Sequence, residues 1–111
     1  MNKTFGLLFY VKRAKIDNNG KAPIYVRITV DGIRSELSIK RSIEIERWNT
    51  EAGKVKGNTE EVKSINTYID VVRNKIYDHH KRLIDANKKV TAEAIKNSFL
   101  GIGEKQKTLV S

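Results

Sequence analysis

The stretch APIYVRITVDGIRSELSIK, residues 22–40, decides the fold, because apolar and polar side chains alternate along it on both sides of a central turn. The turn is Asp31-Gly32, a pair that accepts the positive φ angles of a two-residue hairpin. The pattern therefore predicts two antiparallel strands in which Val30 faces Ile33. Counting outward from that pair predicts an apolar face made of Ile28 with Ser35, Val26 with Leu37 and Ile24 with Ile39.

The other face of this hairpin is polar and mostly basic. The same register places Thr29 opposite Arg34, Arg27 opposite Glu36 and Tyr25 opposite Ser38, with Lys40 beyond. Such a ribbon can enter a major groove. The alternative is a solvated face with a cross-strand pair of Arg27 and Glu36, worth roughly a few tenths of a kcal/mol. The pattern alone leaves both open, and Glu36 counts against DNA unless it orients Arg27 or accepts from a cytosine amino group.

Two further segments complete a predicted three-stranded antiparallel sheet. Residues 4–12 alternate, with Phe5, Leu7, Phe9 and Val11 on one face and Leu8, Tyr10 and Lys12 on the other. A loop at residues 14–22 leads to Pro23 at the start of the second strand, and the third strand covers residues 33–42. An irregular connection with short strand character follows. There we expect Trp48 to be a core residue at the seam between sheet and helix rather than an exposed recognition residue.

The second half of the chain predicts a long helix. Apolar residues recur there at intervals of three, four and seven, at Val62, Ile65, Ile69, Val72, Ile76 and Leu83, and Tyr68, Tyr77 and Ile84 widen the stripe. The helix begins either at a capping box of Asn58 and Glu61 or at Thr59 as the cap. It ends near Ala86, and Asn87 suits the left-handed position that follows.

A shorter helix follows the long one. Thr91 is its predicted cap, residues 92–99 form it, Gly101 and Gly103 break it, and the polar stretch to residue 111 is a linker. An apolar sheet face and an apolar helix stripe bury each other. We therefore predict an α+β fold in which a three-stranded antiparallel sheet packs on one long C-terminal helix, followed by a short helix.

The charge balance favours a polyanionic partner. The 111 residues carry 22 Lys and Arg against 13 Asp and Glu, a net charge of +9. Residues 1–57 hold 12 basic and 6 acidic side chains, hence +6, and residues 58–111 hold 10 and 7, hence +3. The excess leans toward the predicted sheet, which places nucleic acid ahead of an anionic membrane surface.

Several classes of chemistry find no support in the sequence. The chain has no cysteine, which excludes disulfides and thiolate metal sites and fits a cytoplasmic protein. His79 and His80 are adjacent, so on a helix they point about 100° apart and do not share a metal ion. No glycine-rich phosphate loop and no nucleophile with its base are present. We expect a soluble, non-catalytic protein without cofactor, metal or membrane span.

The order FYVKRAKIDNNGKAPIYVRITVDGIRSELS, then Trp48, then GKVKG, then a long helix, resembles the N-terminal arm-type DNA-binding domain of phage-like integrases. These are tyrosine recombinases of prophages and conjugative transposons. The element GKAPIYVRI, residues 20–28, is the most specific part, and the resemblance extends over about residues 5–99. It implies a domain at residues 1–90 and, at residues 91–111, a short helix and linker toward a core-binding domain.

The resemblance implies that the sheet docks in the major groove of double-stranded DNA at arm sites flanking a recombination core. The outward residues carried over as DNA-binding candidates are Tyr10, Lys12, Tyr25, Arg27, Thr29, Arg34, Ser38 and Lys40. The family's catalytic residues belong to a later domain, so we expect this chain to be a module of a longer recombinase. Other integrase protomers are a further implied partner. The alternatives are a protein-interaction module or a stand-alone DNA-bending accessory factor.

Overall fold

The computed structural model describes residues 5–101, and their fold is α+β, as predicted. The sheet has the order β1-β2-β3, with β1 at Phe5–Val11, β2 at Lys21–Val30 and β3 at Ile33–Glu44. Both neighbouring pairs are antiparallel. Residue 4 and the predicted linker at 102–111 lie outside the described residues.

The hairpin between β2 and β3 has the predicted register from its turn outward. Val30 faces Ile33, Ile28 faces Ser35 and Val26 faces Leu37. Asp31 and Gly32 have φ angles of 52° and 84°. Positive φ at both positions is the signature of a type I′ turn, whose twist matches that of the strands it joins.

The predicted pairing of Ile24 with Ile39 is wrong, because a bulge interrupts the ladder. Tyr25 pairs with Ser38, but the next pair is Pro23 with Ser42, so three residues of β3 lie opposite Ile24. Lys40 within the bulge has a φ of 64°, and its amide donates to the Ser38 hydroxyl at 3.0 Å. The bulge adds two residues, so the alternation of faces resumes in phase and Ile39 is still buried.

The connection after β3 is a small structure of its own that carries Trp48 into the core. A 3-10 turn at Ile45–Arg47 leads into β4, Trp48–Asn49, which pairs with β5, Lys54–Val55. Trp48 is buried, as predicted. The Asn66 amide then ties β5 to the long helix, accepting from the Val55 amide at 2.9 Å and donating to the Val55 carbonyl at 3.0 Å.

Two helices follow, with the caps that the sequence indicates. Helix α1 is Glu60–Asp85, and the Thr59 hydroxyl accepts from the Val62 amide, which decides between the two predicted caps. Asn87 after its end has a φ of 62°. Helix α2 is Ala92–Leu100. Its N-cap is Thr91, whose hydroxyl accepts from the Ala94 amide.

Both helices cover one face of the sheet and share one core. Helix α1 buries the stripe Val62, Ile65, Ile69, Val72 and Ile76, while Tyr77 and Ile84 stay exposed on its flank instead of widening the stripe. Helix α2 lies over β2 and β3 and contacts α1, burying Ala92 and Ile95. The sheet is therefore left with one open face, which carries Leu8 and Tyr10 of β1 and the alternate polar residues of β2 and β3.

Candidate nucleic-acid interface

The open face of the sheet brings together four of the predicted DNA-binding residues around one carboxylate. Tyr10 pairs with Tyr25 across β1 and β2, and Arg27 pairs with Glu36 across β2 and β3. Lys12 follows directly after β1 and reaches over the sheet to Glu36. We call Tyr10, Lys12, Tyr25, Arg27 and Glu36 the Glu36 cluster.

Glu36 holds two cations in place at the centre of this cluster. The Lys12 ammonium donates to its Oε1 at 2.8 Å, and Arg27 Nη2 lies 3.5 Å from its Oε2. All three side chains are about one-third exposed. The arrangement leaves one net positive charge, and it fixes two long side chains that would otherwise be free to rotate.

The two tyrosine rings form the floor under these cations. The Lys12 ammonium lies 4.4 Å from the centre of the Tyr25 ring, and the Arg27 guanidinium lies 5.0 Å from the centre of the Tyr10 ring. The two rings are 6.1 Å apart. The Tyr10 hydroxyl is covered from solvent and has no well-formed hydrogen bond within the described residues. In this arrangement the Tyr10 ring lies under the Arg27 guanidinium and its hydroxyl is not open to solvent.

The electrostatics of the cluster favour the charged state of Glu36. The hydrogen bond from Lys12 lowers the pKa of the Glu36 carboxyl to about 2, and the neighbouring Tyr10 adds to this effect. Burial raises the pKa of the Tyr10 phenol, and the nearby Glu36 carboxylate raises it further. Glu36 is thus ionised, and Tyr10 is neutral, throughout the physiological pH range.

The lowered pKa of Glu36 predicts a pH-dependent stability. The ordinary pKa is 4.5 and the folded-state pKa is about 2, so ionised Glu36 stabilises the fold fully above pH 4.5. This contribution declines below pH 4.5 and is lost as the pH falls through 2. In thermal unfolding followed by circular dichroism, Glu36→Gln should lower the Tm by a few degrees at pH 7, and the gap should close at pH 2. Glu46→Gln, at an exposed site, is the matched control; an equal pH-dependent gap there would contradict the assignment.

The other four predicted residues lie outside the cluster. Thr29 pairs with Arg34 toward the hairpin turn, where Thr29 is half-buried and Arg34 is exposed. Ser38 pairs with Tyr25, and its hydroxyl is used by the bulge. Lys40 is exposed in that bulge with a left-handed backbone, so it does not continue the alternation along β3. These residues flank the cluster along the sheet at its two sides.

Two further basic residues, one near this face and one in the bulge of β3, were not among the predicted ones. Lys15, in the 3-10 turn after β1, places its ammonium 5.8 Å from the centre of the Tyr25 ring. Arg41 in the bulge lies 4.1 Å over the Tyr68 ring of α1 and donates to the Lys40 carbonyl. The sequence showed Lys15 only as part of a loop, and nothing in a period-two pattern signals a bulge at Arg41.

Comparison with known protein families gives a match over most of the chain. The model of the Arm DNA-binding domain family matches residues 9–96. The chain belongs to this family. Searches of curated proteins and of solved structures found no match. All eight predicted residues lie inside the matched range of the Arm DNA-binding domain, and so do Glu36, Lys15 and Arg41.

Membership of the Arm DNA-binding domain family makes this chain a non-catalytic DNA-binding module whose partner is double-stranded DNA. Among residues 5–101 there is no group of three or more His, Asp or Glu side chains that could hold a metal ion. None of the helices in that same range is long and apolar enough to cross a membrane.

Proposed function

We propose that the Arm DNA-binding domain docks the open face of its sheet in the major groove of arm sites, in support of DNA integration and recombination by a tyrosine recombinase. The observation that carries the proposal is the Glu36 cluster. It presents Lys12 and Arg27 side by side on a sheet face that the two helices leave uncovered. A major groove about 12 Å wide admits such a ribbon.

Each part of the face has a role in this proposal. Arg27, held between Glu36 and the Tyr10 ring, and the exposed Arg34 donate to base edges, because a guanidinium forms paired hydrogen bonds with guanine. Lys12 and Lys40 contact phosphates, which fix the orientation of the protein without reading sequence. In this proposal Glu36 positions Arg27, so the acid on this face assists DNA binding instead of opposing it.

A salt series tests whether phosphate contacts drive the binding. We expect the affinity of the protein for duplex DNA to fall linearly on a plot of log affinity against log salt, with a slope of about −0.9 for each phosphate neutralised. Fluorescence anisotropy with two duplexes measures it, one selected from a random pool and one scrambled. Equal affinity for both duplexes at every salt concentration would refute sequence-specific docking, and a flat salt dependence would refute phosphate contacts.

The wider context is part of the same proposal. The domain at residues 1–90 tethers a recombinase to arm sites in the cytoplasm, and residues 91–111 lead toward a core-binding domain. Other integrase protomers assemble with it through the full-length protein, so arm binding raises their effective concentration at the core site. A reading frame that continues past Ser111 into a catalytic domain supports this proposal, whereas a frame without one favours a stand-alone DNA-bending factor.

A further inference from the structure

The two edges of the sheet differ in their protection against another strand. Edge strands are normally guarded by charges, proline or bulges. Strand β3 has such guards, with Arg34, Glu36, Lys40 and Arg41 along it and a bulge at Lys40. Strand β1, FGLLFYV, has seven residues without charge, proline or bulge, and no strand of the described region pairs with its outer side.

The main chain of β1 points alternate hydrogen-bonding groups away from the sheet. The Lys12 amide donates to the Pro23 carbonyl at 2.9 Å, which makes this pair a hydrogen-bonded one. In an antiparallel ladder the bonding groups alternate from residue to residue, so those of Gly6, Leu8 and Tyr10 also point toward β2. The amides and carbonyls of Leu7, Phe9 and Val11 therefore point outward, where a further strand would meet them.

Two cavities lie along this edge, and the larger of them is mostly apolar. The smaller one, of about 190 Å³, is lined by residues 7–9, Arg73, Tyr77 and the turn of the β4–β5 hairpin at residues 50–53, so its lining is partly polar. The other, of about 350 Å³, is lined by Phe5, His80, Ile84, Val90 and two lysines, Lys88 and Lys89. Tyr77 meets Phe5 edge-on at 5.4 Å. Leu8, Tyr77 and Ile84 are each about half exposed, at 46%, 46% and 53%.

We infer that the outer edge of β1 is a docking site for an extended segment of a protein partner, which adds to the sheet as a fourth strand. Its main chain pairs with Leu7, Phe9 and Val11, and an apolar side chain enters the larger, mostly apolar cavity. Because Lys88 and Lys89 line the larger cavity, we expect acidic residues at the end of the segment that lies beside these two lysines.

A single extended chain fits this edge better than a second copy of the protein. The turn at residues 50–53 lines the same cavity as β1, so the space next to the strand suits one chain rather than another folded sheet. Two copies would also bring together molecules that each carry a net charge of +9. Tyr10 of β1 belongs to the Glu36 cluster, but its main-chain groups point toward β2, so a strand added on the outer side of β1 pairs with other residues.

Two synthetic peptides test this site. Two are needed because the added strand can run parallel or antiparallel to β1. Their sequences are EEVTVTV and VTVTVEE, capped at both ends and labelled with fluorescein. We expect one of them to bind the full chain and to slow hydrogen exchange of the Leu7, Phe9 and Val11 amides by roughly tenfold or more in NMR. The amides of Gly6, Leu8 and Tyr10, already bonded to β2, serve as internal controls. Absence of binding by both peptides at millimolar concentration overturns the proposal.

Matched probes separate strand addition from general stickiness. The same peptide with alternate amides N-methylated cannot complete the ladder and should not bind; equal binding would overturn the proposal. The double variant Lys88→Glu/Lys89→Glu should bind the acidic peptide with about tenfold lower affinity. It should instead bind a peptide in which lysines replace the two glutamates. Protection of the outward amides without peptide, together with a concentration-dependent dimer in ultracentrifugation, would assign the edge to a second copy and overturn the partner proposal.

Discussion

Replacing Arg27 with alanine should lower the affinity for a selected duplex by about 1–3 kcal/mol, which is roughly 5- to 150-fold, and should abolish the preference at one base position. The expected loss is large because the guanidinium is already held by Glu36 and the Tyr10 ring. An arginine side chain that is already held in one conformation loses little conformational entropy when it binds DNA. Replacing the exposed Arg34 with alanine should lower the affinity for the duplex by a similar amount. The preference should then be lost at a different base position.

The measurement is fluorescence anisotropy with the selected and scrambled duplexes at one salt concentration. Arg82→Ala is the matched control, because Arg82 is an exposed arginine of α1 that pairs with Asp78, on a helix that packs against the other face of the sheet. It should leave sequence preference unchanged. Lys12→Ala should weaken the binding of all sequences alike. If the double variant Arg27→Ala/Arg34→Ala keeps its preference for the selected duplex, the sheet face does not read bases.

Replacing Ile95 with alanine should lower the free energy of unfolding by about 2–5 kcal/mol. Ile95 lies on the short helix α2, which packs against β2, β3 and α1, and its side chain is fully buried in the shared core. Removing three carbon atoms there leaves a cavity that the rigid sheet cannot close. Such a loss is a large part of the stability that a domain of this size has, about 5–15 kcal/mol.

Urea unfolding followed by circular dichroism measures this change. Leu100→Ala is the control, because Leu100 ends the same helix with its side chain exposed and should change the stability by less than about 0.5 kcal/mol. An unchanged stability of Ile95→Ala would mean that α2 is an independent linker helix. The expected loss would make it part of the DNA-binding domain and move the domain boundary beyond residue 90.

The exposed flank of α1 favours the alternative interpretation of this chain as a protein-interaction module. Tyr77 and Ile84 were expected in the core because they extend an apolar stripe, yet both remain half exposed beside β1. Periodicity along a helix gives the angle of each side chain but not the width of the surface that covers it. The two roles are compatible here, since the flank and the polar sheet face are separate surfaces.

The alternation of side chains along β3 does not predict the bulge in this strand. Alternation predicted every pair from the turn to Tyr25 and Ser38, and then failed at Ile24. A bulge that adds an even number of residues leaves the alternation of faces intact, so no sequence signal of period two reveals it. It nevertheless moves Lys40 off the ladder and directs Arg41 to the Tyr68 ring of α1.

The sequence by itself determined the hairpin register near its turn, the two faces of the sheet, the cap of the short helix and the basic character of the open face. These follow from turn chemistry, from the periods of two and 3.6 residues and from capping side chains, all of which act between neighbours in the chain. Only the tertiary structure decided that Glu36 joins Lys12 to Arg27, that α2 shares the core and that β1 offers an open edge. Those features depend on contacts between residues far apart in sequence, such as the 24 positions that separate Lys12 from Glu36, and no local pattern encodes them.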